Sequence, residues 1–152
     1  GDWKRVSPKY VVVDLLGVLV SAILFTVGST VPFAVTREPV WLVVPVAVLL
    51  LHVLIAAFTP RRVRALGYRL REDDLVFRRG IMFLRVVAVP YGRMQLVDIN
   101  RGPIARAFGL SELKLVTAAA ASHITIPGLP EADAETLRDR LVELAESRRA
   151  GL

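Results

Sequence analysis

The chain has 152 residues, 54% of them apolar, and carries 20 lysines and arginines against 14 aspartates and glutamates for a net charge of +6. That length allows one modest domain, or a small domain with something attached. No cysteine is present, which excludes disulfides, thiolate catalysis and cysteine-based zinc sites, and two histidines, His52 and His123, are too few and too far apart for a metal centre.

The charge is unevenly spread, with 4 basic and 3 acidic side chains in residues 1–60 and 16 and 11 in the remainder. Within the nearly uncharged part, residues 10–35 hold one charge in 26 positions and residues 40–59 hold none in 20. A helix needs about 20 apolar residues to cross the hydrocarbon layer. Two spans joined by Thr36-Arg37-Glu38-Pro39 make a transmembrane helical hairpin, and residues 1–64 form that segment with its lead-in. Basic residues concentrate on the cytoplasmic side of a span. Lys4, Arg5 and Lys9 precede the first, and Arg61, Arg62 and Arg64 follow the second, whereas the turn offers Arg37 beside Glu38. Both termini are therefore expected in the cytoplasm of a multi-pass inner-membrane protein.

Ionisable residues inside a span raise a functional hypothesis. Asp14 and His52 lie at similar depths, so a pair between antiparallel helices is feasible. Asp14, Gly17, Ser21 and Gly28 fall on one face at spacings of three, four and seven, and small residues there let helices approach closely. With His52, this face is a candidate docking surface for a partner's helices; the plainer reading is packing within the hairpin.

From residue 65 the pattern changes to short alternating runs, as in half-buried strands. Tyr68 and Leu70 begin a first strand, and Leu75 and Phe77 a second that ends at Arg78-Arg79-Gly80. A third is expected over Ile81–Val89, and a fourth places Gln95, Val97 and Ile99 on one face. Leu113 and Leu115 point inward from a fifth, Ile124 and Ile126 from a sixth that stops at Pro127-Gly128. Between the fourth and fifth, Pro103, Ile104, Phe108 and Gly109 predict a short helix with a left-handed end, its apolar side against the sheet. Ala134, Leu137, Leu141 and Leu144 form the stripe of a final amphipathic helix. The fold class is α+β: a helical hairpin, then an antiparallel β domain over residues 65–152 closed by that helix.

RGPIARAFG has neither the glycine spacing nor the lysine of a phosphate loop, and Phe108 is its single aromatic, so no nucleic-acid platform is expected. Asp98 and His123 are the one conceivable acid–base pair, better read as surface strand residues. No catalytic residue, cofactor site or metal site is assigned.

Three segments carry a resemblance: YRLREDDLVFRRGIM, VPYGRMQLVDINRGPIARAFGLSELKLVT and ITIPGLPEADAETLRDRL. They resemble the bacterial pleckstrin-homology-like domain, most specifically in the run Gln95, Val97, Ile99, Gly102, Pro103, Arg106, Gly109, Leu110. The hairpin and WKRVSPK resemble the small two-span membrane subunit of that family, often paired with a larger relative carrying several such domains. The resemblance implies a β-sandwich or partly open barrel with a C-terminal helix, a non-enzymatic role, and a general link to envelope stress and tolerance of membrane-active peptides. The leading expectation is a membrane-anchored interaction subunit, its partners the bilayer and a related PH-domain membrane protein or a second copy, with no nucleic acid. The alternatives are an anionic-lipid-sensing module, with Arg61, Arg62, Arg64, Arg78 and Arg79 at the membrane surface, and a subunit of a transport assembly.

Overall fold

A computed structural model describes residues 3–118 and 123–149. The chain divides into two compact units, Val11–Arg61 and a second made of residues 1–10 and 62–152.

The hairpin unit carries the two candidate spans, Lys9–Thr36 and Pro39–Ala65, with mean hydropathies of 2.4 and 2.7. The first is two helices, α1 (Lys9–Ser29) and α2 (Val31–Thr36). A single helix was expected, but Pro32 has no N–H to give Gly28 and its ring crowds that carbonyl. The Ser29 and Thr30 hydroxyls turn back onto the Thr26 and Val27 carbonyls at this break. Arg37, in the left-handed conformation at φ 59°, ends α2 by donating its N–H to the Phe33 carbonyl. A 3-10 turn over Pro39–Leu42 leads into α3 (Val43–Ala65). His52 Nδ1 lies 2.8 Å from the Val48 carbonyl, which can only accept, so that nitrogen donates. Nε2 lies 3.0 Å from the Ser21 hydroxyl.

The sheet unit is two antiparallel sheets that do not close on each other. One has the order β1 (Lys4–Arg5), β2 (Gly67–Leu70), β3 (Asp74–Arg79), β4 (Arg85–Pro90); the other is β5 (Met94–Asn100), β6 (Leu110–Thr117), β7 (His123–Pro130). A short helix α4 (Pro103–Ala107) bridges β5 and β6, and α5 (Glu131–Arg149) closes the unit, as the resemblance implied. Leu75, Leu113, Leu115, Ile126 and Leu141 are wholly buried and form the core. α5 packs on the 3-10 turn Tyr91–Arg93 and on β5 and β6. Its last turn is fixed by Arg148, which donates to the Glu72 carbonyl at 2.7 Å and pairs with Asp73 at 3.0 Å. At its first turn Arg101 pairs with Glu131 and Glu135 while its Nε donates to the buried Ser111 hydroxyl.

Two bulges adjust the strands. Between Met94 and Leu96 one extra residue sits on β5, so Gln95 leaves the face shared by the half-buried Val97 and Ile99. The second lies opposite Ser111 and Leu113, where β7 continues through Pro127-Gly128 to Pro130. Gly128 adopts φ +71°, and a Cβ there would stand 2.7 Å from Tyr10 Cβ. Its carbonyl accepts the Ser7 N–H at 2.7 Å, so this bulge receives the lead-in residues.

The lead-in also gains a strand and an aromatic anchor. Lys4 and Arg5 pair with Tyr68 and Gly67, and the Trp3 ring lies 5.1 Å from the Arg69 guanidinium and 4.7 Å from that of Arg78. Each such contact contributes about 0.5–1 kcal/mol at an exposed site. Trp3→Ala is therefore expected to cost about 1–2 kcal/mol. Hydrogen exchange should show it as faster exchange over residues 3–7, with β3 and β4 still protected.

Tyr91, wholly buried, donates its hydroxyl to the Arg71 carbonyl at 2.6 Å, and burial raises its pKa. The forked Arg71–Asp74 contact, 2.6 Å on both arms, holds the Asp74 carboxyl below its usual range. Its contribution is present at neutral pH and is lost as the pH falls through the acid range.

Candidate functional site

The residues expected to end the second strand and begin the third form a hairpin whose ladder stops at the Arg79–Arg85 pair. A third strand from Ile81 was expected. Gly80 instead takes φ +101°, which only glycine adopts readily, and residues 80–84 leave the ladder as an open loop. Arg79 and Arg85 thereby stand directly opposite each other. Like charges opposed across strands are destabilising by a fraction of a kcal/mol to about 1 kcal/mol, so this pair is placed at a cost to the fold.

At that pair a cleft of about 530 Å³ opens, lined chiefly by β4 and β7, each an edge strand of its sheet. Phe77, Val87, Val89 and Ile124 give it apolar walls, and Arg79, Arg85, Arg93 and His123 give it a basic border. Thr117 and Thr125 add hydroxyls. Among the described residues no carboxylate lines it. Arg93 is held by its backbone, whose carbonyl accepts the Ala118 N–H at 2.9 Å. Apolar walls with a few convergent charged groups are the composition of a small-ligand site. Guanidinium groups with no competing carboxylate suit a phosphate or other oxyanion, which they can bind in pairs of parallel hydrogen bonds.

The residues singled out in the sequence are dispersed. Arg61 stacks on Phe58 at 5.9 Å within the hairpin unit, and Arg62 and Arg64 are exposed on the last turn of α3, where cations favour the helix dipole. The Arg64 carbonyl also accepts from Arg5. Arg78 is half-buried against Trp3 with its Nε unpartnered, so it serves the lead-in, while Arg79 alone of the pair reaches the cleft. In the hairpin unit both ring nitrogens of His52 are engaged, by Val48 and Ser21, and Asp14 is half-buried. Gly17 and Gly28 are exposed, with nothing within 4 Å of an added Cβ. Asp98 and His123 are not brought together, since β6 runs between their strands, with Lys114 opposite Asp98 and Val116 opposite His123. Ile104 remains 38% exposed, so α4 covers the sheet with Phe108 and Ala105 more than with Ile104.

Arg85 and Arg93 were not singled out, because their partners lie far off in sequence. One local signal was available. From Leu75 to Val97 the chain holds four arginines and no acidic residue.

Comparison with known proteins agrees with this architecture. Over 101 residues the chain is 34% identical to the UPF0699 transmembrane protein YdbS of Bacillus subtilis (strain 168), a match covering 65% of this chain and 62% of that protein. The chain thus spans less than two thirds of that relative. No solved structure matches. The family described as Bacterial PH domain matches residues 13–145, which takes in most of the first span, all of the second, and the sheet unit from β2 into α5. With two apolar spans, two open antiparallel sheets and a closing helix, the chain is a membrane protein that belongs to the bacterial PH domain family.

Proposed function

We propose that the protein is a membrane-anchored, non-enzymatic module whose sheet unit captures the phosphate of an anionic lipid headgroup in the cleft between β4 and β7. The observation that carries this reading is the border of Arg79, Arg85, Arg93 and His123 around a cleft lined by no carboxylate among the described residues. The inner leaflet is the natural source of such a ligand. Lys4, Arg5, Lys9, Arg61, Arg62 and Arg64 flank the spans on one side and support a cytoplasmic sheet unit with both termini inside.

A basic residue near an anionic leaflet contributes about 1 kcal/mol. Replacing both Arg85 and Arg93 by glutamine should therefore weaken headgroup retention by about 2 kcal/mol, roughly thirtyfold. Native mass spectrometry of the full chain in detergent, with phosphatidylglycerol and phosphatidylcholine added together, reads this. The wild type should retain phosphatidylglycerol preferentially and the double variant should not. Equal retention by both would rule the reading out.

A second reading is assembly with a related PH-domain membrane protein, in the setting of envelope stress. It is favoured by β4, which ends its sheet with one edge unpaired by another strand among the described residues, and an exposed edge is a template for a partner's strand. Co-expression with such a relative, followed by mild extraction, should then yield a complex; two separate monomers would count against it.

A further inference from the structure

We propose that the hairpin tip Ile81–Leu84 inserts into the headgroup layer of a bilayer leaflet as a second attachment of the sheet unit. Met82, Phe83 and Leu84 are 84%, 85% and 66% exposed, the most exposed large apolar side chains among the described residues of that unit. They are consecutive, and Ile81 beside them is 42% exposed. A run of bulky apolar residues in water marks an interaction surface.

The occupant follows from three observations. A stable protein interface buries about 800 Å² on each partner, and four side chains on a convex loop are too few to supply it. Insertion into lipid has no such threshold, because each apolar group that leaves water contributes separately. Arg79 and Arg85 flank the loop on its two strands, with no acidic residue from Leu75 to Val97, so the tip carries cations where lipid phosphates would meet it. Long basic side chains keep their charge at the headgroups while their stems lie along apolar surface. Finally, α3 ends at Ala65 and β2 begins at Gly67, so a bilayer is always within reach of this unit.

None of Ile81 to Leu84 lines the cleft, so the tip goes beyond the reading proposed above and can fail or hold independently of it. The test uses the absence of cysteine from the chain. Phe83→Cys, at an exposed position, is labelled with an environment-sensitive fluorophore in the full chain. The protein is then reconstituted into phosphatidylethanolamine–phosphatidylglycerol vesicles with and without brominated acyl chains. Emission should be at least halved by the brominated lipid. A label on the exposed face of α5, at Asp139→Cys, should be unaffected. Adding Met82→Ser and Leu84→Ser to the Phe83→Cys chain should relieve the quenching without altering retention of phosphatidylglycerol. A label at residue 83 that brominated lipid leaves unquenched overturns the proposal, whether it is open to aqueous iodide or shielded from it by a second copy or another protein.

Discussion

Leu141→Ala is expected to destabilise the sheet unit by about 2–5 kcal/mol, the range for removing a fully buried leucine and leaving a cavity. Leu141 is wholly buried, in line with Ala134, Leu137 and Ala145, on the face by which α5 meets β5, β6 and the Tyr91–Arg93 turn. The elements α5 packs against carry the wholly buried Tyr91, Leu113 and Leu115, and a close-packed interior relaxes only partly around a deleted side chain. For a unit of about 100 residues each kcal/mol lowers Tm by roughly 4–8 °C, so a fall of at least about 8 °C is expected. Near-UV circular dichroism in detergent follows the unit without the dominant helical signal of the spans. Val142→Ala, one position along at 39% exposed, should change Tm little. If the two variants melted alike, α5 would not close the core.

Gly80→Ala should be the most damaging single change at the cleft's hairpin. At φ +101° a side chain is strained, and its Cβ would stand 2.2 Å from the Phe83 carbonyl oxygen, which as backbone cannot swing aside. The conformational strain alone costs about 1–3 kcal/mol, and relief of the clash requires the loop over residues 81–84 to move. Because Arg79 and Arg85 are the last pair of that ladder, the change should lower both Tm and the preference for phosphatidylglycerol. Gly102→Ala is the control, since nothing lies within 4 Å of its added Cβ and its φ is −72°. It should leave both quantities near wild type.

The contrast between these glycines marks what a lone sequence conveys. Helix and strand periodicity is local, and it placed α5's stripe, the inward Leu113, Leu115 and Ile126, and the left-handed Gly109 at φ +70° where the structure has them. The two spans were legible for the same reason, although the break that Pro32 imposes was not read. Ile81–Leu84 has the composition of a strand, but after Gly80, at φ +101°, the ladder ends and these residues form the hairpin loop. The Lys4–Arg5 strand is two charged residues long and has no alternation to detect; its place is set by Trp3 between Arg69 and Arg78. The cleft draws on β3, β4, the turn before β5 and the ends of β6 and β7, so no short window of sequence contains it. Arg78 and Arg79 looked equivalent side by side, but alternation along β3 sends one to Trp3 and the other to the cleft.

Occupation of the cleft by an anionic headgroup is tested most directly by cross-linking in native membranes. Phosphatidylglycerol carrying a photoactivatable group on its head is added to membranes containing the full chain, and the adducts are mapped by peptide. The expected result is adducts on Arg85–Arg93 and His123–Thr125, reduced when Arg85 and Arg93 are both replaced by glutamine. Adducts confined to the spans, or the same pattern from phosphatidylcholine, would contradict it.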